Sequence, residues 1–535
     1  MSLRGASDLA TKQSPVKIHV RAIKPEIASP PNAGLAMTIF NYMPTNIRAR
    51  FAPSPTGWLH IGSLRTALFG YLIAKTLGGK FILRVEDTDQ KREVAGAVES
   101  LIKILDWTGI RFDEGPHLGG DYGPYVQSQR LAIYEKYAEQ LLAENKAYRC
   151  FCSAERLEKM RQGQQAKKLP PRYDRACREL AETEVNKKLA QGEKFVIRQK
   201  MPLAGQVIVR DELRGDIKFQ AQDLEDQILI KSDGMPTYQF AVVVDDHLMA
   251  ISHVLRGDEW LSSFPKNILL YRDFNWPAPK FIHLTLTLNK TGGKLSKRQG
   301  DVAVEDYRAK GYLAEALLNF CALLGWHPKE DNEILLLDDM IKKFRYQDMG
   351  TSPAIFDVDK LDYFNGWHIR HKPLADLAKL CLPYLGKNQA QFGYDYIKKV
   401  VSLEQERLKK LSEIGELTEF FFTDEISYQP ELLVWKKMTL AQVKNNLRTI
   451  FELLEKIPDS EWTDDSLEEA IMDYLKAKQL KTGEPASTRP SLGGYLWPLR
   501  ASLTGRAASP GPFAVAEVLG KERSLKRINQ AIKKL

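Results

Sequence analysis

Along the 535-residue chain the spacing of apolar positions changes several times, and each change predicts a change of element. Residues 47–51 (Ile-Arg-Ala-Arg-Phe) read as a short strand, and Pro53-Ser-Pro-Thr-Gly57 then supplies the prolines and glycine of a loop. From Ser63 to Leu77 the residues Leu64, Ala67, Leu68, Tyr71, Leu72 and Ala74 recur on one helix face, so strand, loop and helix are predicted in that order. His60 and Gly62 fall at the helix N-terminus. Phe281-Ile-His-Leu-Thr-Leu286 reads as a further strand leading to a turn at Thr291-Gly-Gly293. Residues 375–535 carry long helical stretches and little strand pattern, and Leu525 to Leu535 forms an amphipathic helix with a basic face. No apolar run approaches the roughly 18 residues that span a bilayer, so no membrane partner is expected.

The length implies roughly three to four domains. Hydrophobic residues at 44% and charged residues at 27% exclude a wholly disordered or low-complexity chain. Lys and Arg total 77 against 68 Asp and Glu, a net charge of +9. Residues 481–535 hold ten Lys or Arg against three acids, and phosphate is the partner this suits. Five cysteines are too few for a disulfide scaffold and favour a reducing compartment. Residues 1–45 contain Pro and Ser, few acids and no apolar h-region. This excludes a secretory signal and leaves a start-site artefact with Met37 as the true start, a cloning scar or an organelle transit peptide.

Three groups of residues carry candidate chemistry. A helix N-terminus at Leu59-His-Ile-Gly62 offers unpaired N–H groups and a favourable dipole to phosphate, with Gly62 allowing close approach; an ordinary strand-to-helix turn fits the tetrapeptide equally well. Lys294 and Lys297, three residues apart on a Gly-rich loop, could close over a triphosphate, or be solvated surface lysines. Cys150, Cys152 and Cys177 present three thiols that suit tetrahedral zinc, with the Tyr173 phenolate, Glu179 or water as fourth ligand, or they are structural cysteines of a strand.

Arg50-Phe-Ala-Pro-Ser-Pro-Thr-Gly-Trp-Leu-His-Ile-Gly62, Phe81-Ile-Leu-Arg-Val-Glu-Asp-Thr-Asp89 and Lys294-Leu-Ser-Lys-Arg298 closely resemble the motifs of class I aminoacyl-tRNA synthetases, specifically glutamyl-tRNA synthetases of bacterial and organellar type. The resemblance spans about residues 46 to 535 and takes in Val243-Val-Asp-Asp-His247 and Leu519-Gly-Lys-Glu-Arg523. It implies an α/β fold whose Rossmann-like parallel-sheet catalytic domain (46–124 and 236–287) is interrupted by an acceptor-end insertion domain (125–235). A stem-contact domain with the lysine loop (288–373) and an all-α C-terminal anticodon-binding cage (374–535) follow, with residues 1–45 a flexible N-terminal extension. A helical rather than β-barrel C-terminal part favours glutamate over glutamine.

The implied reaction is ATP-dependent ligation of L-glutamate to the 3′ end of tRNA(Glu) through a glutamyl-adenylate, with Mg2+ on the phosphates. His60, Lys294 and Lys297 are the expected catalytic residues, and these three with Gly62 the expected ATP contacts. By the same resemblance Arg50 and Arg256 grip the glutamate, Glu86 takes its α-ammonium, and Ser54, Tyr238 and Trp260 complete the pocket. Surface or core roles for these residues, including a Glu86–Arg84 salt bridge, are the alternatives. Val242 stands where some family members hold Asn and is left out of the pocket. Some members carry zinc at a Cys-x-Cys and a distal Cys, here Cys150, Cys152 and Cys177 with Tyr173; the position of the more usual fourth ligand, His, is Glu179. A cytoplasmic monomer is expected, or an organelle-matrix protein if residues 1–36 are a transit peptide. Alternatives are an enzyme that also glutamylates tRNA(Gln), and a nucleotidyltransferase or silent RNA-binding paralogue on the same scaffold.

Overall fold

The structure, a computed structural model, describes residues 46–89, 92–293, 303–481 and 491–535. Strands β1 (Arg48–Phe51), β2 (Lys80–Leu83), β3 (Ala147–Cys150), β4 (Val196–Gln199), β5 (Gln206–Asp211), β6 (Gly215–Gln220), β7 (Ile228–Ile230), β8 (His253–Gly257) and β9 (Lys280–Leu284) make two sheets. The larger has the order β2-β1-β8-β9-β5-β6 and the smaller β3-β4-β7. In the larger sheet every neighbouring pair is parallel except the edge hairpin β5–β6. A parallel sheet is covered on both faces, which is why Phe81, Ile82, Leu83, Val254 and Leu255 are all buried. Among these apolar strands Arg48, Arg50, Arg256 and His283 are buried too, and buried charge demands partners.

The predicted strand, loop and helix form as expected. Helix α1 (Ile61–Thr76) buries all six of the apolar residues that defined its pattern. It packs into one core with β1, β2 and the helix Ala314–Leu323. At Gly70 a Cβ would come within 2.9 Å of the Phe81 ring, so α1 lies against β2 at a distance only glycine permits. From β1 the sheet grows outward on one side to β2 and on the other to β8. This reversal opens a crevice at the carboxyl ends of β1 and β8, where α/β sheets bind their ligands.

Segment 125–235 contributes the antiparallel sheet β3-β4-β7, but its hairpin β5–β6 joins the main sheet, with Asp211 paired to Phe281 of β9. Beyond residue 355 every regular element among the described residues is a helix, and a second core runs from Leu313 to Ala531. The last helix spans Lys521–Lys534 and so starts four residues before the apolar pattern at Leu525. Gly520, at φ +79, turns the chain there, and polar residues fill the first turn. The predicted turn at 291–293 is present: Asn289 Oδ1 accepts from the Thr291 and Gly293 amides at 2.9 and 3.0 Å. Lys294 and Lys297 lie outside the described residues.

Candidate active site

The crevice is a cavity of about 920 Å³, within the roughly 300–1,000 Å³ range of small-molecule sites. Its wall includes Arg50, Ser54, Glu86, Tyr238, Arg256 and Trp260, so the fold brings together all six residues expected to hold the amino acid. Arg50 arrives on β1 and Arg256 on β8, adjacent parallel strands. Tyr238 opens helix α2 (Tyr238–Leu248) and lies 4.6 Å, centroid to centroid, from the Trp260 ring. Val242, on the same helix, is core.

His60 is the N-cap of α1, its Nδ1 accepting from the Gly62 amide at 2.9 Å. An Nδ1 that accepts places the proton of a neutral imidazole on Nε2, and an imidazole N–H suits phosphate oxygen. Two α1 residues one turn further, Ser63 and Thr66, line the cavity, so the helix N-terminus borders the space that holds the arginines.

The charges divide unequally. Arg50 donates through Nε and Nη2 to Asp246 at 2.9 and 3.3 Å and through Nη1 to the Leu255 carbonyl at 3.3 Å. Behind it the fully buried Arg84 bonds Glu86 at 2.9 Å and Asp246 at 2.7 Å, and Asp245 takes Arg130 at 2.7 Å. Arg50, Arg84 and Arg130 are thus balanced by Glu86, Asp245 and Asp246. Glu86 both lines the cavity and pairs with Arg84, so the two readings of this residue hold together. Burial raises its carboxyl above the ordinary range against the pull of Arg84 and Arg50. For Asp246 burial also raises the carboxyl, but Arg50 and Arg84 outweigh it and hold it low.

Arg256 differs. Its Nε donates to His283 at 2.9 Å and its Nη1 to Asn267 at 2.9 Å, both neutral acceptors. Its Nη2 is buried without an acceptor, and among the described residues no carboxylate lies within ion-pair distance of it. Burial lowers the guanidinium, and Tyr238 opposes that shift. Burial in turn pushes the Tyr238 phenol up to about 12, with Glu86 adding to it. The net positive charge of the pocket is therefore carried by Arg256.

Asp245 and Asp246 stand in the motif Val243–His247 with no role expected of either. Their signal was available: two adjacent carboxylates follow Val242-Val-Val244 on an apolar helix, and buried carboxylates demand cationic partners. Lys231, Thr66 and Arg92, which also line the cavity, carried no such signal.

A separate cluster forms where β3 ends. The sulfurs of Cys150, Cys152 and Cys177 lie within 4.8 Å of one another. The Tyr173 hydroxyl is 3.2 Å from Cys150 Sγ and 3.4 Å from Cys152 Sγ, and Cys152 and Cys177 are 3.5 Å apart. Sulfurs on a zinc tetrahedron stand about 3.8 Å apart, given a Zn–S bond of about 2.3 Å, so the donors fit that ion. Cys177, assisted by Tyr173, lowers the Cys150 thiol against the opposing effect of burial. Arg156 Nη1 donates to Cys152 Sγ at 3.4 Å, and the Arg198 guanidinium lies 3.9 Å from the Tyr173 ring centroid. Glu179 instead points to solvent beside Arg178, so of the three candidate fourth donors the fold brings up Tyr173.

The family of class I tRNA synthetases (E and Q), catalytic domain, matches residues 46–363, and the anticodon binding domain matches 376–532. This chain belongs to the class I tRNA synthetases of the glutamate and glutamine group. It is 45% identical over 495 residues to a glutamate–tRNA ligase of Clostridium botulinum, covering 92% of this chain and 99% of the relative. A glutamate–tRNA ligase of Dehalococcoides mccartyi is 44% identical over 498 residues, 92% of this chain and 99% of that one. The crystal structure of a glutamate tRNA ligase from Elizabethkingia meningosepticum in complex with its amino acid superposes with a TM-score of 0.82 at 36% identity, covering 91% of this chain and 99% of that one. This synthetase therefore has a Rossmann-like parallel-sheet catalytic part and a helical anticodon-binding part.

Proposed function

We infer that the chain is a glutamate–tRNA ligase: it joins L-glutamate to the 3′ end of tRNA(Glu) in two steps at the expense of ATP. The glutamate α-carboxylate attacks the α-phosphorus of ATP and pyrophosphate leaves. A hydroxyl of the terminal tRNA ribose then attacks the adenylate carbonyl, and AMP leaves. The nucleophile of the first step is already an anion, so the protein's task is to position the reactants and to offset charge on phosphate. His60 Nε2 and the α1 N-terminus face the phosphates, with Lys294 and Lys297 completing the cradle. Glu86 accepts the α-ammonium, and Arg256, with Arg50 beside it, binds the side-chain carboxylate; Ser54, Tyr238 and Trp260 close the pocket. Magnesium on the phosphates would share in neutralising them. The observation that carries this reading is the uncompensated guanidinium of Arg256 in a cavity at the sheet's switch point, which suits an anionic amino acid and disfavours a neutral amide.

Cys150, Cys152, Cys177 and Tyr173 would hold zinc, which would fix the acceptor-end segment. Among the described residues no helix is long and apolar enough to cross a membrane, and we place the enzyme as a monomer in the cytoplasm, or in an organelle matrix if residues 1–36 direct it there. ATP–pyrophosphate exchange with each amino acid, with and without tRNA, tests the assignment. Exchange supported by glutamate alone among the amino acids is expected, and exchange with glutamine instead would overturn it. Charging of purified tRNA(Glu) and tRNA(Gln) with labelled glutamate then defines the tRNA range.

A further inference from the structure

Strands β8 and β9 run parallel with Arg256 directly opposite His283, so the two side chains are neighbours by register. His283 is fully buried. Its Nδ1 and its backbone amide both meet Asp211 Oδ2, at 2.8 and 3.0 Å, and its Nε2 accepts from Arg256 Nε at 2.9 Å. Only one state satisfies these contacts: a neutral ring with its proton on Nδ1, donated to Asp211. Asp211 is itself fixed, its Oδ1 accepting the Leu213 and Arg214 amides at 3.0 and 2.9 Å. On the other side Asn267 Oδ1 accepts from Arg256 Nη1 at 2.9 Å, and Asn267 Nδ2 donates to Gln239 Oε1 at 2.8 Å, which sets the amide's orientation.

We propose that Asp211, His283 and Asn267 form a buried bracket that positions Arg256 and keeps its charge uncompensated, so that the guanidinium on the cavity wall is reserved for the carboxylate of the amino-acid substrate. The proposal rests on the reading of Arg256 given above. The neighbouring buried arginines Arg50, Arg84 and Arg130 each pair with a carboxylate. Arg256 is held instead by an imidazole and an amide, which fix direction without cancelling charge. Burial lowers His283 to about 4, so it stays a neutral acceptor at working pH. The carboxylate that could have paired with Arg256 is set one ring further back, on β5 of the hairpin that joins the sheet edge. These are positioning residues, acting on substrate through Arg256.

The test compares Asn267→Asp, His283→Leu, His283→Gln and Arg256→Gln in glutamate-dependent ATP–pyrophosphate exchange, with KM for glutamate and for ATP measured separately and thermal melts alongside. Asn267→Asp gives Arg256 a counter-charge in the same shape. It should raise the glutamate KM about tenfold, leave the ATP KM within about twofold, and keep or raise Tm. His283→Leu should raise the glutamate KM likewise, His283→Gln should recover most of it by restoring an acceptor, and His283→Leu added to Arg256→Gln should cost nothing more than Arg256→Gln alone. If Arg256→Gln raises the glutamate KM while Asn267→Asp and His283→Leu do not, the bracket is refuted and the substrate reading stands. If Arg256→Gln itself leaves that KM unchanged, the carboxylate reading of Arg256 fails and takes the bracket with it.

Discussion

Two arginines reach the same cavity with opposite energetics. Arg50 is locked to Asp246, which it shares with Arg84, so a carboxylate of the fold already offsets its charge. Removing one member of such a buried set leaves the others uncompensated, and Asp246→Asn should lower stability by about 3–5 kcal/mol in denaturant unfolding. Arg256→Gln removes a buried cation that has no counter-charge. It should leave the unfolding midpoint unchanged or slightly raised while raising the glutamate KM about ten- to a hundredfold, the equivalent of about 1.5–3 kcal/mol for a charge-assisted bond, with the ATP KM spared. Equal weakening of ATP would place Arg256 in the scaffold. That these six residues meet in one cavity was foreseen from the family resemblance, which rests on motifs holding Arg50, Ser54 and Glu86 and reaches Arg256 and Trp260 only by extension. Their division of labour was not, because whether a buried arginine is neutralised depends on carboxylates such as Asp246, distant in sequence and adjacent only in the fold.

At the level of elements, local patterns read well wherever one period dominates, as in α1, whose cap His60 and six buried apolar positions follow from the chain. The placement of hairpin β5–β6 did not read, since joining a sheet edge depends on long-range pairing and not on alternation. The turn that carries Cys177 back beside the end of β3 is another such long-range event. It makes a checkable site: Cys177→Ser should release about one zinc per chain, read by metal analysis of protein purified without chelator, because three donors hold a tetrahedral ion poorly. Wild-type protein free of zinc would leave the cysteines structural. In the helical half, Glu404 ends the helix Tyr394–Glu404 fully buried, with Oε2 on Arg407 at 2.8 Å and Oε1 without a partner. Burial pushes its carboxyl up to about 7 from an ordinary 4.5, with Arg407 opposing. A raised folded value means that the folded state holds the proton more tightly, so this stability is complete below about pH 4.5 and is lost as pH rises through about 7. Glu404→Gln should therefore raise Tm at pH 8 and converge with wild type at pH 4.5 and below. A variant less stable than wild type at pH 8 would show that the ionised pair with Arg407 outweighs burial.

Over the whole molecule the net charge of +9 suits a polyanion, but the fold decides which cations can meet one. The final helix Lys521–Lys534 is the test case, because its basic face serves two purposes. Arg527 is buried and donates to the carbonyls of Phe420, Leu503 and Thr423 at 2.7, 2.5 and 2.6 Å. Arg523 donates to the Phe421 and Thr423 carbonyls, both at 3.0 Å. These two arginines tie the helix to the domain, whereas Lys526 and Lys533 are exposed. Gln405 is likewise committed, its amide donating to the carbonyls of Ile369, Arg370 and Lys372 at 3.0, 3.2 and 2.9 Å. Each lysine that neutralises a phosphate releases a counterion and contributes about 0.7–0.9 to the slope of log affinity against log salt concentration. Lys526→Gln with Lys533→Gln should therefore flatten the slope for tRNA binding by up to about 1.4–1.8 without moving Tm. Arg527→Met should leave the slope unchanged and cost about 1–3 kcal/mol of stability, because three buried carbonyls lose their donor. Titrations at several salt concentrations beside thermal melts separate the two. A flattened slope for Arg527→Met at unchanged stability would mean that the arginine reaches RNA and that the phosphate-binding face is drawn on the wrong side of the helix.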